Sequence, residues 1–396
     1  MVNTRLADVI NHFDAELISI YRNLHQHPEL SNEEFETTKI IKEKLSVVGI
    51  HVLDLPLHTG LVAEVIGDRS GPVIALRCDI DALPITEETD LSYQSEVIGK
   101  MHACGHDFHV AVILGAAYLL KKLEPALPGS VKLIFQPDEE TAHGAEQILA
   151  TGILSNVEAI FGLHNKSDLS VGCMGTSVGA LTAAVDRFEI EICGVGTHAA
   201  YPEKGIDPIV VAAHLITVLQ TITSRNISAF DQALVSVTHL KSGNTWNVIP
   251  TTAYLEGTVR TLNVNTRKLI PQKMEQIIKG IAQSFGARAE LKWYPGPPAT
   301  NNTAEWVNIA LDVAKGVGYE VREISPGLGG EDFAYYQEKI PGAFINIGTG
   351  ESYPHHHPQF AIDETALLLG AQYFAKLAQR ALHSLRKDGK SKDDIS

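Results

Sequence analysis

The chain is poor in three things, and each shortage excludes a class of protein. Cysteine occurs only four times in 396 residues, at Cys78, Cys104, Cys173 and Cys193, too few and too scattered for a disulfide framework. No apolar run approaches the ~20 residues of a membrane span, and the first twenty residues carry acidic groups and helical periodicity where a secretory leader has a basic and then an apolar stretch. Cationic residues are scarce: 32 Lys and Arg stand against 47 Asp and Glu, a formal net charge of −15. That balance argues against nucleic-acid and anionic-membrane partners, which need clustered Lys and Arg. The one basic run, at 386–392, reads as a solvated end. A reducing, cytoplasmic home is the expectation. Histidine, by contrast, is plentiful: there are 17, and they cluster.

The length exceeds the ~250–300 residues at which single cores stop growing, so two or three domains are expected. An opening helix carries Leu6, Ile10, Phe13, Leu17, Ile20 and Leu24 at helical spacing, and a second, over 33–48, stops at Gly49. Short apolar runs follow at 61–66, 73–77, 131–135 and 159–163, with helical stretches at 109–123 and 144–150 between them. This alternation predicts an α/β layer architecture around a largely parallel sheet, with functional groups gathered beyond the carboxyl ends of the strands. Near Ala183 the pattern restarts as strand 188–193, helix 207–224, strands 233–240 and 253–260, helix 266–285 and strand 289–293. That β-α-β-β-α-β order is the ferredoxin-like unit, closed by the stiff Pro295-Gly296-Pro297-Pro298. The reading is an α/β domain over 1–183 and 300–396, interrupted by a smaller domain over 184–299.

The densest polar cluster is His102-Ala103-Cys104-Gly105-His106-Asp107-Phe108-His109. Cys and His are the usual ligands of transition metals, and a one-residue gap lets two of them reach one ion from a turn. A buried loop of packed histidines is the plainer alternative. Gln136-Pro137-Asp138-Glu139-Glu140 ends another apolar run; adjacent carboxylates there repel one another unless a cation or open solvent relieves them. Neighbours on an extended chain point apart, so one carboxylate can ligate while the next stays free as a base. His164 closes a third strand and His355-His356-His357-Pro358 forms a late run, each weak alone. Asp79 and Asp81 add two carboxylates after 73–77. One can orient a ligand; pairing with Arg77 is the bland reading.

The segments Arg77-Cys78-Asp79-Ile80-Asp81-Ala82-Leu83-Pro84, Met101-His102-Ala103-Cys104-Gly105-His106-Asp107 and Gln136-Pro137-Asp138-Glu139-Glu140 together resemble the aminoacylase/carboxypeptidase-type metallohydrolases. Within them the chain resembles the branch of hippurate hydrolase, auxin-conjugate hydrolases and N-acetyl-diaminopimelate deacetylase, in order from Leu24 to Glu364. The resemblance implies a metal-dependent α/β hydrolytic domain with a ferredoxin-like lid and dimerisation insert. It implies Cys104 as a bridging ligand, with His106, Glu140, His164 and His356 completing two metal sites and His357 a rival for the last place. It makes Glu139 the general base and Asp81 the support of a ligand. In the insert it implies that His198 contacts the substrate carbonyl, often from a neighbouring subunit, and that Asn247 and Arg260 handle the oxyanion and the substrate carboxylate. The bland reading of Arg260 is a strand-end salt bridge.

The implied chemistry is amide hydrolysis of small N-acyl amino acids by two divalent transition-metal ions, Zn or Mn first, Co or Ni also suiting the donor set, in a homodimer or tetramer built through the insert. A dipeptidase or carboxypeptidase using the same site is the rival within enzymes. A zinc deaminase lacks its Pro-Cys-X-X-Cys signature here. A silent scaffold would lack a ligand or the base, and every implied position is filled.

Overall fold

The structure, a computed structural model, describes residues 2–393. The side chains of Leu6, Ile10 and the basic run beyond 386 lie outside that description. The chain divides into two compact units: Met1–Gly179 with Asn301–Ser325 and Tyr335–Ser396, and Ala180–Thr300 with Pro326–Ala334. The return of the short segment Pro326–Ala334 to the second unit leaves no trace in composition or periodicity.

The first unit is built on an eight-stranded sheet in the order His51–Val52, Leu61–Ile66, Ser130–Gln136, Val73–Asp79, Ala159–Lys166, Gly342–Gly348, Cys173–Thr176 and Glu320–Glu323. Only the four central strands are all mutually parallel. Leu61–Ile66 and Cys173–Thr176 join them antiparallel, so the sheet is mixed rather than largely parallel. The central strands read as apolar runs because both faces are covered: Ser130–Gln136 is buried at every position. Helix His106–Leu123 is buried along nearly its whole length. It packs on Ala366–Asp393, and a Cβ added at Gly115 would lie 2.6 Å from that of Ala371, so the absent side chain lets the two backbones approach.

The second unit runs strand Ala184–Cys193, helix Pro208–Leu219, strands Ala233–Ser242 and Thr252–Thr261, helix Val264–Ser284 and strand Arg288–Pro295. The strands form one antiparallel sheet in the order 233–242, 252–261, 184–193, 288–295. Burial alternates along both central strands, so one face packs under the helices and the other meets solvent. Asp207 caps the first helix at Ile209 N–H and Asn263 caps the second at Asn265 and Thr266. The first helix ends at Leu219, earlier than its pattern suggests, and passes into a π-turn over Ile222–Asn226. The combined stretch Pro208–Asn226 does reach the length and apolarity of a membrane span, contrary to expectation, although a third of it is buried within the fold. A core helix has the same signature, so one such stretch decides nothing.

Candidate metal centre

The carboxyl ends of the central strands gather the first unit's polar groups, as the parallel-sheet rule requires. Asp79 ends one strand, Gln136 the next, and His164 lies near the end of the third. Gly105 starts the helix that follows: its φ of 85° is left-handed, and a Cβ there would lie 2.6 Å from Asn165 Oδ1. Only glycine fits this turn. It starts the helix at His106, three residues before the apolar periodicity begins, which sets His106 and His109 one turn apart on one face with ring centroids 5.4 Å apart.

Three groups of side chains converge there. Cys104, His106 and His164 offer ligand atoms all within 4.8 Å of one another, and so do Cys104, Glu140 and His356; Cys104 is common to both. His106, Glu139 and Glu140 form a third group. Cys104 Sγ lies 3.5 Å from His164 Nε2, and His356 Nε2 lies 3.5 Å from Glu140 Oε1. His356 N–H donates to Ala103 O at 2.9 Å, which pins its loop beside Cys104. His357 turns elsewhere, stacked on Tyr353 at 4.3 Å with its Nδ1 accepting from Gln359 N–H. Of the two rivals, His356 and His357, the fold brings His356 to the cluster.

The donor set suits a transition-metal pair, and its hydrogen bonds are arranged to leave ligand lone pairs open. His106 Nδ1 lies 3.2 Å from Asp81 Oδ1, and His164 Nδ1 lies 2.7 Å from the carbonyl of Asn165. An oxygen on Nδ1 fixes the tautomer and aims Nε2 inward, the usual second-layer support of a metal histidine. His106 Nε2 and Glu140 Oε1 are buried without a hydrogen-bond partner; such orphans are costly unless something fills the space. Burial opposes charge on His106, but Asp79 and Asp81 outweigh it and push the imidazole well above its ordinary value. Burial, with His355 and His109, holds His164 well below its own. Burial and the Glu140 carboxylate push the Cys104 thiol up, so a thiolate there needs a cation beside it. The residues fit the metals.

Beneath the cluster runs a chain of contacts that sequence reasoning missed. Asp79 accepts from Arg77 at 2.8 Å and pairs with His109 Nδ1 at 2.5 Å; the bland reading of Asp79 is met, and it also braces the histidines. His109 Nε2 meets the backbone N–H of Asn165 at 3.0 Å and its side chain at 2.8 Å, and Asn165 reaches His355 Nε2 at 3.1 Å. The i,i+3 spacing of His106 and His109 was the available signal. The links through Asn165 and His355 join three distant segments and had none.

The second unit keeps its implied residues apart. His198 is exposed on the short strand Thr197–His198, which pairs with Val248–Ile249. Ala199 N–H donates to Asn247 O at 3.0 Å, so His198 and Asn247 are neighbours. His198, Thr251 and Thr252 line one open groove of about 1050 Å³. Arg260 stands at the other end of strand Thr252–Thr261, eight residues and about 26 Å away at strand rise. The salt bridge expected of a strand-end arginine belongs to another residue: Arg267 binds Asp186 through two nitrogens, at 2.7 and 3.0 Å. Among the described residues the Arg260 guanidinium has neither a hydrogen bond nor an ion pair, and burial lowers its pKa.

Comparison with known proteins follows the same lines. Residues 75–380 match the family model for peptidase family M20/M25/M40. The chain is 50% identical over 375 residues to the N-acetylcysteine deacetylase of Bacillus subtilis, covering 94% of this chain and 99% of that one. It is 37% identical over 383 residues to thermostable carboxypeptidase 1 of Saccharolobus solfataricus, covering 94% and 97%. The crystal structure of the Bacillus subtilis YXEP protein, a dinuclear metal binding peptidase from the M20 family, superimposes with a TM-score of 0.87 at 47% identity, covering 94% of this chain and 99% of that one.

Proposed function

Since the chain belongs to peptidase family M20/M25/M40 and is a hydrolase, we propose that it cleaves the amide bond of small N-acyl amino acids, releasing a carboxylic acid and a free amino acid. The observation that carries this is Cys104 standing in two ligand groups at once, with Glu139 in a third beside them. Cys104, His106, Glu140, His164 and His356 hold two divalent transition-metal ions, Zn or Mn by preference, with Co and Ni compatible. When bound, the ions supply Lewis acidity, polarising the amide carbonyl and lowering the pKa of water towards about 7.

The chain's own groups do the rest. Glu139 takes a proton from the attacking water and returns it to the leaving amine nitrogen, the double duty of one general acid–base. Asp81 holds His106 in its tautomer. His198 donates to the developing oxyanion, worth about 3–4 kcal/mol for one such donor, and Asn247 assists it. Arg260 grips the free carboxylate of the substrate; its unpaired guanidinium supports this role.

The strand order of the second unit, second-third-first-fourth with both helices on one face, supports reading it as a ferredoxin-like lid. The separation of His198 and Asn247 from Arg260 along one strand supports a shared site: one chain cannot bring both ends to one small molecule, but two copies can. The reading is therefore a homodimer, or a tetramer of such pairs. The edge strand Arg288–Pro295 is defended by exposed Arg288, Glu290 and Lys292 and ends in proline. The opposite edge, Ala233–Ser242, is bulged near Val237, carries only His239 as a titratable side chain before Lys241, and exposes Leu234 and Leu240. Phe230 and Trp246 beside it are 97% and 91% exposed, and exposed aromatics of this kind mark association surfaces. Four free cysteines suit a reducing compartment.

The carboxypeptidase among the relatives keeps a second reading open, peptide-bond cleavage at the same centre. The test is a panel of N-acetyl and N-benzoyl amino acids, N-acetylcysteine first, against dipeptides, on protein reconstituted separately with Zn, Mn, Co and Ni. Faster turnover of N-acyl amino acids is expected. Dipeptides turned over faster with every metal would transfer the assignment to the peptidase reading.

A further inference from the structure

The residues that face the cluster do not explain how the loop between Gln136 and Glu140 keeps its shape. Asp138 has a φ of 60°, one of five non-glycine residues with positive φ among the described residues, and one of three in loops that carry a residue of the cluster. A left-handed aspartate costs about 1 kcal/mol and persists only where its surroundings impose it. Thr141 and Gln147 donate to its side chain and His143 and Gly144 to its carbonyl, and two buried carboxylates from outside the loop hold the backbone N–H groups. Asp81 accepts the N–H of Glu140 at 3.0 Å, and Glu34 accepts the N–H of Asp138 at 2.9 Å. The N–H groups of both neighbours of Glu139 are therefore anchored, and its carboxylate belongs to the group of His106 and Glu140.

Glu34 comes from the turn after the first helix, a part of the chain with no place in the metal centre. Its second oxygen accepts from Thr59 Oγ1 at 2.7 Å, and its carbonyl accepts from Thr38 Oγ1. Ser31, three residues earlier, donates to Asp81 Oδ2 at 2.8 Å. One short segment thus supplies one anchor and holds the other. Glu34 is fully buried, and burial pushes its carboxyl up to about 7 against the pull of the donors bonded to it. An acidic group held at that cost does more than fill space, which a neutral side chain would fill more cheaply.

We propose that Glu34 is a positioning residue for catalysis: by holding the amide of Asp138 it fixes the left-handed turn that presents Glu139 to the substrate. The proposal rests on Glu139 as the general base. It separates three substitutions. Glu34→Ala removes the acceptor. Glu34→Asp keeps the charge but withdraws the oxygens by one methylene. Glu34→Gln keeps an acceptor for Asp138 N–H, while the Thr59 hydroxyl turns to accept from the new amide.

The experiment measures kcat, KM, metal content by elemental analysis and Tm for all three, beside Glu139→Gln. Glu34→Ala and Glu34→Asp are expected to lose about 10- to 100-fold in kcat, the scale of a misplacement near 1 Å, with KM and metal stoichiometry held, since Asp81 still anchors Glu140. Glu34→Gln is expected to recover kcat to within a few fold of wild type. If Glu34→Ala does not fold, the Asp and Gln variants carry the test. Wild-type kcat in folded Glu34→Asp overturns the proposal, as does Glu34→Gln no better than Glu34→Asp, or a kcat loss matched by loss of metal. Near-normal turnover in Glu139→Gln would instead remove the base itself, a failure distinguishable from that of Glu34.

Discussion

The two units hold their candidate functional residues in opposite ways. In the first, Cys104 is 8% exposed, His106 1% and Asp79 and His109 not at all, and each histidine of the metal set apart from His356 has its second nitrogen tied to a named oxygen. In the second, His198 is exposed, Asn247 and Arg260 are half-buried, and a strand's length divides them. Burial lets the first unit assemble its cluster within one chain. Exposure leaves the second with groups that, on the proposed reading, act only when another copy covers them.

That contrast breaks most sharply at Glu139. Glu139→Gln should lower turnover by about 10²- to 10⁴-fold while keeping its metal, because the amide fills the same space without accepting a proton. Cys104→Ala should instead lose bound metal, by elemental analysis, and turnover with it. Metal content unchanged in Cys104→Ala would remove the thiol from both ligand groups.

The second unit is tested by mixing. His198→Ala should cost about 10²-fold in kcat. Combined one to one with Glu139→Gln after subunit exchange, it should regain about a quarter of wild-type activity, since half the dimers are mixed and each mixed dimer holds one intact site. Demonstrated exchange with no regained activity would return His198 to its own chain's chemistry. Leu240→Lys, which arms the undefended edge, should shift the mass by light scattering towards the monomer and lower activity with metal content unchanged. A dimer that survives this change would move the interface elsewhere.

Legibility in the sequence followed the same division. The fragments that converge in the cluster could be read because strand ends and a glycine turn confine them: the Cys104-Gly105-His106 spacing and the paired Glu139-Glu140 carry their geometry locally. The sheet's antiparallel flanks could not be read, since Leu61–Ile66 looks no different in pattern from its parallel neighbours. The support beneath the cluster was hidden for a simpler reason. His109, Asn165 and His355 meet only after folding, and a buried asparagine bridging two histidines has no periodicity to betray it. Arg260 is the instructive middle case, because its position suggested a salt bridge that Arg267, from the following helix, makes in its place.

The smallest effects should separate the units by pH. His25 is buried between Asp107 at 2.6 Å and Glu87 at 3.2 Å. Burial opposes its charge, yet the two carboxylates raise its pKa from 6.5 to about 9. A folded value above the unfolded one means that the stabilisation is full below about pH 6.5 and drains away as pH rises through about 9. The difference corresponds to about 3 kcal/mol, shared with Asp107 and Glu87 rather than added to theirs. Denaturant unfolding from pH 6 to pH 10 should show this decline, and His25→Gln should flatten it; an equal slope in the variant would place the titration elsewhere. The second unit offers the control. Lys292 pairs with Glu191 at 2.7 Å on an exposed strand, where solvent and salt screen the charges. Lys292→Ala should leave both Tm and the pH slope unchanged, because a pair already in water has no desolvated state to lose.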